Sequence, residues 1–368
     1  MPWAGLTSEL QIGPITFWSY QTTAKTKLSD RSIRDHLDRY FACYVDHAGK
    51  AARTAVVCTY KRKEFGDLSQ KEASQVRMAV DALLFLIISD ATKHSVCNNN
   101  RTMGPPSADR FELIAQDFQP GNDDISVRAG SVRSSGWKIG TISFPMPWCM
   151  GGSFGLPNQE LVEGFTKAFK REFPHDLRNR LFRSLEWFRY AHTESDVVSP
   201  LSKVVMMATA FEIILNVPNT RSKKIWIAEQ IEKRCAGPRS LKKTRRYGKG
   251  KAFTRPKIAW WAHDFYDLRN FIVHGDPINR RRLQHKAHGK SWITQLIVAD
   301  IVFWECVTRE LYDHKCIGAN ARSCSADWAK MFPNEPAGSI EANLANWFLG
   351  YDDVHRSLGW LPKLKPKR

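Results

Sequence analysis

The sequence predicts an α+β N-terminal domain over residues 1–150 and an all-α helical bundle over residues 160–316. In the first region, β-branched runs accompany one long amphipathic segment, a mixture typical of an α+β domain. In the second region, apolar residues recur every three or four positions, which is the period of an α-helix. Residues 145–157 are rich in proline and glycine, so we expect the domain boundary there.

The composition is that of a folded protein without a membrane span. Of the 368 residues, 43% are apolar and 25% are charged, which is typical of globular proteins. The longest apolar run, residues 82–88, is far shorter than the roughly 20 residues that a bilayer requires. The first residues lack the pattern of a secretory signal. We therefore expect a cytoplasmic protein with no membrane partner.

The cysteines do not predict a metal site. The eight cysteines are scattered without a C-x-x-C pair, and a disulfide framework is not expected in a chain of this length without a signal peptide. His314, Cys316 and Cys324 are neighbours in sequence, but their spacing fits no common zinc pattern. We expect buried free thiols and neither a metal nor another cofactor.

Three segments of the N-terminal region have clear patterns. Residues 54–60 are β-branched and compact, which predicts a strand. Residues 69–93 carry apolar side chains at helical spacing, with Ser69 as N-cap and Glu72 three positions later, the arrangement of a capping box. Residues 125–144 predict two or three short strands. None of these segments carries recognisable chemistry, so we interpret the domain as a partner sensor, a dimerisation domain or a lid.

The second region contains four predicted helices. They cover residues 179–195, 201–215, 258–274 and 292–312. The second of these is apolar nearly all round and is expected to be the central buried helix. Long helices joined by loops predict a helical bundle. Residues 317–368 form a C-terminal tail with Trp347, Trp360 and a basic end, which suits a docking segment or an RNA contact.

Positive charge is concentrated in two stretches. Lysine and arginine number 55 against 37 acidic residues, an excess of 18. Residues 239–257 hold nine basic residues and residues 280–290 hold five, and neither stretch contains an acid. Like charges at this density repel one another, so we expect mobile loops.

A polyanion is the partner that these charges favour, because each neutralised phosphate releases a condensed counterion. The alternatives are loops that only increase solubility and, less favoured, an anionic membrane surface, since glycines and prolines interrupt any amphipathic helix. The candidate RNA-binding residues are Lys242, Lys243, Arg245, Arg246, Lys249, Lys251, Arg280, Arg281 and Arg282.

The predicted helix 258–274 ends at a residue suited to acid–base chemistry. Gly275 favours a left-handed cap and Pro277 prevents continuation, so His274 lies in the last turn. Imidazole exchanges a proton near neutral pH and is the commonest general acid–base group. At about 100° per residue, one side of the helix carries His263, Asp267, Asn270 and His274.

Arg269 projects near the apolar side of the same helix and needs a partner there. Glu212 belongs to the apolar helix 201–215, where an unpaired carboxylate is costly to bury. We therefore predict that Glu212 orients Arg269.

Residues 266–275, Tyr-Asp-Leu-Arg-Asn-Phe-Ile-Val-His-Gly, resemble the signature of HEPN ribonucleases, in which an arginine and a polar residue precede a histidine. The wider order of elements resembles the Apea-like branch of that family: an aromatic-rich helix, an apolar helix with an embedded acid, a basic linker, the Arg-Asn…His helix and a closing apolar helix. The resemblance covers about residues 165–315.

The resemblance implies a metal-independent endoribonuclease. The 2′-hydroxyl of RNA would attack the adjacent phosphorus and leave a 2′,3′-cyclic phosphate. His274 would transfer the proton, Arg269 would bind phosphate oxygens, and Asn270 would orient the imidazole or contact the phosphate. A homodimer of the kind common in the family would bring two such helices together across a groove lined by the polar side of the helix. The residues expected to support the site are Glu212, Asp267 and His263.

The bare spacing of arginine, four residues and histidine is not specific in this chain. Only Arg269 and His274 combine it with an asparagine directly after the arginine and with a capped helix end. Arg309 and His314 are the second choice, although they are expected simply to decorate the end of the last helix. The other pairs with this spacing are Arg31/His36 and Arg280/His285.

Two other interpretations stay open. A HEPN module can bind RNA or a nucleotide, or pair with a partner, without cutting RNA. Arg269 and His274 can also serve only to satisfy core hydrogen bonds and a helix end. By resemblance, the cellular role is that of an antiviral defence effector or a regulated toxin, whose N-terminal domain senses a trigger or restrains the nuclease.

Overall fold

The computed structural model describes a mixture of helices and small sheets. The described residues are 1–52, 54–60, 68–97, 107–116, 122–129, 132–147, 158–194, 198–219, 222–237, 240–246, 252–286, 292–318 and 351–362. Among them, no helix is both long enough and apolar enough to cross a bilayer.

The first region alternates short strands with helices. Its elements are β1 (Leu10–Ile12), β2 (Ile15–Ser19), α1 (Tyr20–Lys27), α2 (Arg31–Phe41), β3 (Tyr44–Val45), β4 (Val56–Tyr60), α3 (Gln70–Cys97), a 3₁₀ turn (Ala108–Phe111), β5 (Ile114–Gln116), β6 (Asp124–Ala129), β7 (Val132–Lys138) and β8 (Phe144–Pro145). Strands β1, β2 and β4 form one antiparallel sheet, and β5, β6 and β7 form another. Strand β3 pairs with β8 in parallel.

The second region is mainly helical. Its elements are α4 (Gln159–Ala168), α5 (His175–Ala191), α6 (Pro200–Ile214), α7 (Lys223–Cys235), β9 (Lys242–Arg246), β10 (Ala252–Pro256), α8 (Lys257–His274), a 3₁₀ turn (Arg280–Leu283), β11 (Gln284–Lys286), β12 (Trp292–Thr294), α9 (Gln295–Asp313) and a C-terminal helix (Tyr351–Ser357). Helix α6 lies against α5, α8 and α9. This is the central position predicted for the apolar segment, because a helix that is apolar on most sides must be covered on most sides.

Several elements of the first region follow their sequence patterns. The backbone N–H of Ser69 donates to Oε2 of Glu72 at 2.9 Å, and the Glu72 N–H donates to the Ser69 hydroxyl at 3.3 Å. This reciprocal pair is the predicted capping box, and the helix it begins is confirmed as α3. The predicted strand at residues 54–60 is confirmed as β4, and the short strands of residues 125–144 as β6, β7 and β8.

Helix α3 joins the two regions through one apolar core. It packs against α5 and α9. The Phe85 ring contacts Phe165, Phe188 and Phe303 edge to face, at centroid distances of 5.9, 5.3 and 5.9 Å. Such pairs add to the stabilisation that burial gives. The two predicted domains therefore share a core, and residues 148–157, most of the predicted boundary, lie outside the described residues.

Two β-hairpins occupy the positions of the predicted basic loops. Strand β9 pairs antiparallel with β10, and β11 with β12, so the prediction of loops was wrong for the described residues of these stretches. The second region is accordingly not all-α. The first hairpin tolerates its charge because acids from other helices pair with it: Arg245 with Asp264 on α8, and Arg255 with Glu229 on α7.

Part of the C-terminal tail docks beside the hairpins. The Leu241 N–H donates to the Trp360 carbonyl at 2.8 Å. In the interior, the His355 imidazole lies 2.5 Å from the Glu305 carboxylate. The Trp360 ring centroid is 6.2 Å from that of Trp261. Docking was one of the two roles predicted for the tail, whereas residues 319–350 and 363–368 lie outside the described residues.

Candidate functional site

Helix α8 ends as its sequence predicts. Gly275 has a left-handed backbone with φ of 74°. The Gly275 N–H donates to the Ile272 carbonyl at 3.2 Å, and the Asp276 N–H donates to the Phe271 carbonyl at 2.9 Å. These two bonds form a Schellman motif, which satisfies carbonyls that the helix itself leaves unpaired. His274 therefore occupies the terminal turn, as expected.

The His274 side chain is exposed at this helix end. Across the described residues, no hydrogen bond or ion pair to its imidazole is present. Val273 beside it is also exposed. The ring is thus open to a ligand, and a general acid–base group must be able to reach the proton that it moves.

Glu212 and Arg269 form the predicted ion pair, although Glu212 has closer partners. Nη2 of Arg269 lies 3.7 Å from Oε1 of Glu212. The Tyr266 hydroxyl donates to the same oxygen at 2.7 Å, and the Lys223 ammonium donates to Oε2 at 3.0 Å. Burial, and next the bond to Glu212, raise the pKa of the Tyr266 hydroxyl. The carboxylate therefore organises three side chains, of which Arg269 is the most distant.

Arg269 is only 24% exposed and keeps unused hydrogen-bonding capacity. Its Nη1 donates to Oδ1 of the adjacent Asn270 at 3.2 Å, and its guanidinium carbon lies 5.5 Å from the centre of the Tyr266 ring. Its Nε is buried, with no hydrogen-bond partner within the described part of the chain. Because Nε is covered, only the exposed part of the Arg269 side chain is open to an anionic oxygen.

Asp267 and His263 are placed differently from His274. The Asp267 carboxylate accepts a hydrogen bond from the Lys224 ammonium at 2.9 Å. His263 is buried, with Nδ1 3.3 Å from Oδ1 of Asp264 and its ring centroid 5.8 Å from that of Trp260. Of the expected polar stripe, His263 is therefore buried in this chain, Asp267 and Asn270 are partly exposed, and His274 is exposed.

The reason lies in the first hairpin, which packs over that side of α8. The Trp260 indole N–H donates to the Lys243 carbonyl at 2.6 Å, and Arg245 makes a bidentate pair with Asp264 at 2.6 and 2.8 Å. Although burial acts in the opposite direction, the bonds from His263 and Arg245 lower the pKa of the Asp264 carboxyl. Side chains that helical geometry places together are thus separated by what covers them.

The predicted RNA-binding residues fall into three groups. The first group is on β9: Arg245 is paired with Asp264 there, and the others, Lys242, Lys243 and Arg246, are exposed. The second group, Lys249 and Lys251, lies outside the described residues. A third group is exposed on the 3₁₀ turn after α8 and comprises Arg280, Arg281 and Arg282. The Arg282 guanidinium carbon lies 4.0 Å from the centre of the Phe271 ring, so this turn stands beside the end of α8.

The second arginine–histidine pair is engaged locally. Arg309 pairs with Asp313 at 2.8 Å, four residues along α9. His314 lies 4.0 Å from Glu310 and contacts the Phe173 ring edge to face. These contacts match the expectation that Arg309 and His314 only interact with neighbouring side chains at the end of the last helix.

Metal-binding side chains do not cluster in the described residues: no group of three or more histidines, cysteines, aspartates or glutamates has the geometry of a metal site there. The free thiols found there are Cys43, Cys58, Cys235, Cys306 and Cys316.

Sequence reasoning missed the contribution of α7. Lys223 and Lys224, at its start, bind Glu212 and Asp267. A signal was present, because the buried residues Ile227, Ile231 and Cys235 recur at a spacing of four. This spacing alone predicts a helix before the basic stretch.

Comparison with known proteins identifies no relative: no protein-family model, no curated protein and no solved structure matches this chain.

Proposed function

We propose that this protein is a metal-independent endoribonuclease of the Apea-like HEPN type, with its reacting groups at the end of α8. The observation that carries the proposal is the exposed His274 imidazole at the Schellman-capped end of α8. Arg269, which pairs with Glu212, lies on the same helix. The exposed arginine turn beside it supplies positive charge for a polyanionic substrate.

In the proposed reaction, His274 moves the proton. The 2′-hydroxyl oxygen forms a bond to the adjacent phosphorus as its proton passes to a base. The bond from phosphorus to the 5′-oxygen breaks, and that oxygen takes up a proton. The products are a 2′,3′-cyclic phosphate and a 5′-hydroxyl. A positioned imidazole typically contributes about 10²–10⁴-fold to such a step.

Arg269 is proposed to bind the non-bridging phosphate oxygens. Negative charge on those oxygens is offset by a guanidinium that is already oriented, which lowers the barrier without reorganisation during the reaction. Glu212 and Tyr266 support this orientation, since both belong to the same hydrogen-bonded group as Arg269. Asn270 accepts a hydrogen bond from Arg269, and it is proposed to orient the His274 imidazole or to contact the phosphate.

We further propose that the working unit is a homodimer. Arg269 and His274 are about 140° apart around a regular helix, so one α8 does not present both to a single phosphate. Two copies facing each other place Arg269 of one opposite His274 of the other. Light scattering at the assay concentration tests this, and a monomer that cuts RNA contradicts it.

The second candidate is an RNA-binding module that does not cut. One observation favours it: Arg269 already donates to Asn270 and pairs with Glu212, and no hydrogen bond or ion pair joins it to His274 among the described residues of one chain. The same cationic surfaces serve this function. A role as a defence effector or regulated toxin, with a trigger acting through the first region, is part of the proposal under either candidate.

End-labelled RNA incubated in EDTA separates these candidates. We expect wild type to yield fragments ending in 2′,3′-cyclic phosphate and to leave DNA of the same sequence intact. His274→Ala lowers the cutting rate by about 10²–10⁴-fold while RNA affinity stays within about threefold, because binding rests on cations elsewhere. His314→Ala is the matched control from the second arginine–histidine pair. Binding without any cutting by wild type establishes the non-catalytic candidate.

A further inference from the structure

We propose that the hairpin of β11 and β12 is a base-stacking platform for single-stranded nucleic acid, in which the Trp292 indole receives a base and Lys286, Arg280 and Arg281 bind flanking phosphates. This inference rests on the proposed function in one respect only: that the natural ligand is RNA. The platform itself is defined by geometry that acts on any single strand.

The hairpin register places the indole on the outer face. Lys286 pairs with Trp292, and His285 pairs with Ile293. Successive side chains of a strand point to opposite faces, so Trp292 and Lys286 share one face while His285 and Ile293 share the other. Trp292 is 50% exposed, whereas His285 and Ile293 are partly buried against the core. A large flat ring is thus held outward with a cation directly opposite.

The inner face fixes the hairpin to the protein. The His285 ring lies 6.1 Å from the Trp360 ring, and burial lowers its pKa, so the inner side is adapted to a neutral imidazole. Nε2 of Gln295 donates to the Gln284 carbonyl at 3.2 Å, and Oε1 of Gln295 accepts from the Trp261 indole at 2.7 Å. A platform anchored in this way loses little conformational freedom when a ligand binds.

Positively charged residues lie between the end of α8 and this hairpin along the chain. The arginine turn lies between them in sequence, and Arg282 covers the Phe271 ring on α8. Residues 277–299 contain five lysines and arginines and no acid. A strand that crosses the arginine turn from Trp292 therefore passes Arg282, which lies on the Phe271 ring about one helical turn before His274.

The chemistry of the surface selects its ligand. An indole can stack on a base only where that base is not already stacked inside a duplex, and cations beside it bind the backbone. Both contacts are indifferent to the 2′-hydroxyl. The platform consequently binds single-stranded DNA as well as RNA, although the proposed cleavage requires RNA. A protein partner, including a second copy of this chain, is the competing occupant, and the absence of acids in residues 277–299 favours the polyanion.

The test uses the full chain in the His274→Ala background, so that RNA survives the measurement. Fluorescence anisotropy is recorded with labelled oligouridine, oligothymidine of the same length and a duplex. We expect both single strands to bind more tightly than the duplex. Trp292→Ala weakens single-strand binding roughly 5- to 150-fold, the range for one stacked base, and Trp292→Phe stays within about threefold.

Two controls separate stacking from charge and from folding. Trp137→Ala replaces another exposed tryptophan, on β7, and leaves affinity unchanged. Lys286→Ala reduces the slope of log affinity against log salt by about 0.7, the value for one phosphate contact on a single strand, while Trp292→Ala leaves the slope unchanged. Thermal unfolding verifies that each variant is folded.

Three results overturn the platform: wild type binds neither single strand, Trp292→Ala binds like wild type, or Trp292→Ala loses self-association while its affinity is unchanged. The two proposals fail separately. RNA cleavage by wild type together with single-strand binding that is unchanged in Trp292→Ala removes the platform and keeps the nuclease. Trp292-dependent binding of oligothymidine without any RNA cleavage supports the platform and removes the nuclease.

Discussion

Two regions of the protein hold histidines in opposite ways. In the interior, Nε2 of His192 lies 3.0 Å from Oδ1 of Asp300, and Nε2 of His355 lies 2.5 Å from Oε1 of Glu305. All four side chains are buried. At the end of α8, His274 is exposed, and no carboxylate among the described residues pairs with it. An imidazole tied to a buried carboxylate stabilises the fold, whereas one at an open helix end is available to a ligand.

Packing, and not residue type, decides which histidine is covered by the protein and which is open to a ligand. His263 and His274 belong to one helix, yet His263 is buried, next to Trp260 and Asp264, which the hairpin of β9 and β10 contacts, whereas His274 is exposed. The acids follow the same rule, because Glu212 is only partly buried and is shared between a tyrosine, a lysine and an arginine. Variants in the two regions should therefore change different quantities.

His274→Ala is expected to have the largest effect, and on activity alone. The cleavage rate should fall by about 10²–10⁴-fold because the proton-transfer group is lost. The free energy of unfolding should change by less than about 0.5 kcal/mol, as for surface substitutions in general. Single-turnover cleavage and urea unfolding measure the two quantities. His175→Ala, at the exposed start of α5, is the control, and an equal loss of activity in it would contradict the assignment.

His355→Ala should show the opposite pattern. Removing one partner of a buried pair typically costs about 3–5 kcal/mol because the other is left uncompensated. Urea unfolding measures the loss. Adding Glu305→Gln should recover part of it, since the orphaned charge is then gone, and a double-variant cycle quantifies the recovery. A variant as stable as wild type would show that the docked tail contributes nothing to the fold.

The buried pair of Asp81 and Arg189 should make stability depend on pH. The side chains are 2.6 Å apart, but burial outweighs the pairing and raises the pKa of Asp81 from 3.8 to about 6. The folded protein then holds this proton more tightly than the unfolded chain. The contribution to stability is greatest below about pH 4 and declines, by about 3 kcal/mol, as the pH rises to about 6. Unfolding of Asp81→Asn across this range should lack the decline; a curve parallel to wild type refutes the prediction.

Glu212→Ala should affect both the cleavage rate and the free energy of unfolding, because Glu212 is partly buried and also contacts Arg269. The hydroxyl of Tyr266 and the guanidinium of Arg269 lose their acceptor, which typically costs about 1–3 kcal/mol in stability. The cleavage rate should fall as well, since Arg269 is no longer oriented. Glu212→Gln keeps an acceptor for Tyr266 and should recover most of the stability. If Glu212→Ala changes neither stability nor rate, Glu212 does not orient Arg269.

The smallest effects are expected from single cations on β9. Lys242→Ala removes an exposed charge and should lower the salt slope of RNA binding by about 0.7. Arg245→Ala should lower it less, because Asp264 already engages this guanidinium. Salt titrations of RNA affinity compare the two variants. Equal slopes would mean that Arg245 leaves Asp264 when RNA binds.

Which features of the fold and the site could be predicted depends on how far apart in sequence the interacting residues are. The capping box at Ser69 and the termination at Gly275 were predicted because their partners lie within four residues along the chain. The pairing of Glu212 with Arg269 was predicted from the cost of burying either side chain alone. Lys223 and Tyr266 as closer partners of Glu212 were not, because their positions depend on how α7 and α8 pack beside α6.

The sequence by itself determined the helix that carries His274, its end, and the surplus of positive charge, since these follow from local hydrogen bonding and composition. Only the tertiary structure decided that the first basic stretch folds onto α8 as a hairpin, that His263 is buried, and that α3 shares its core with the second region. The physical reason is that ion pairs and burial join residues distant in sequence, and a charge pattern does not reveal which acids will neutralise it.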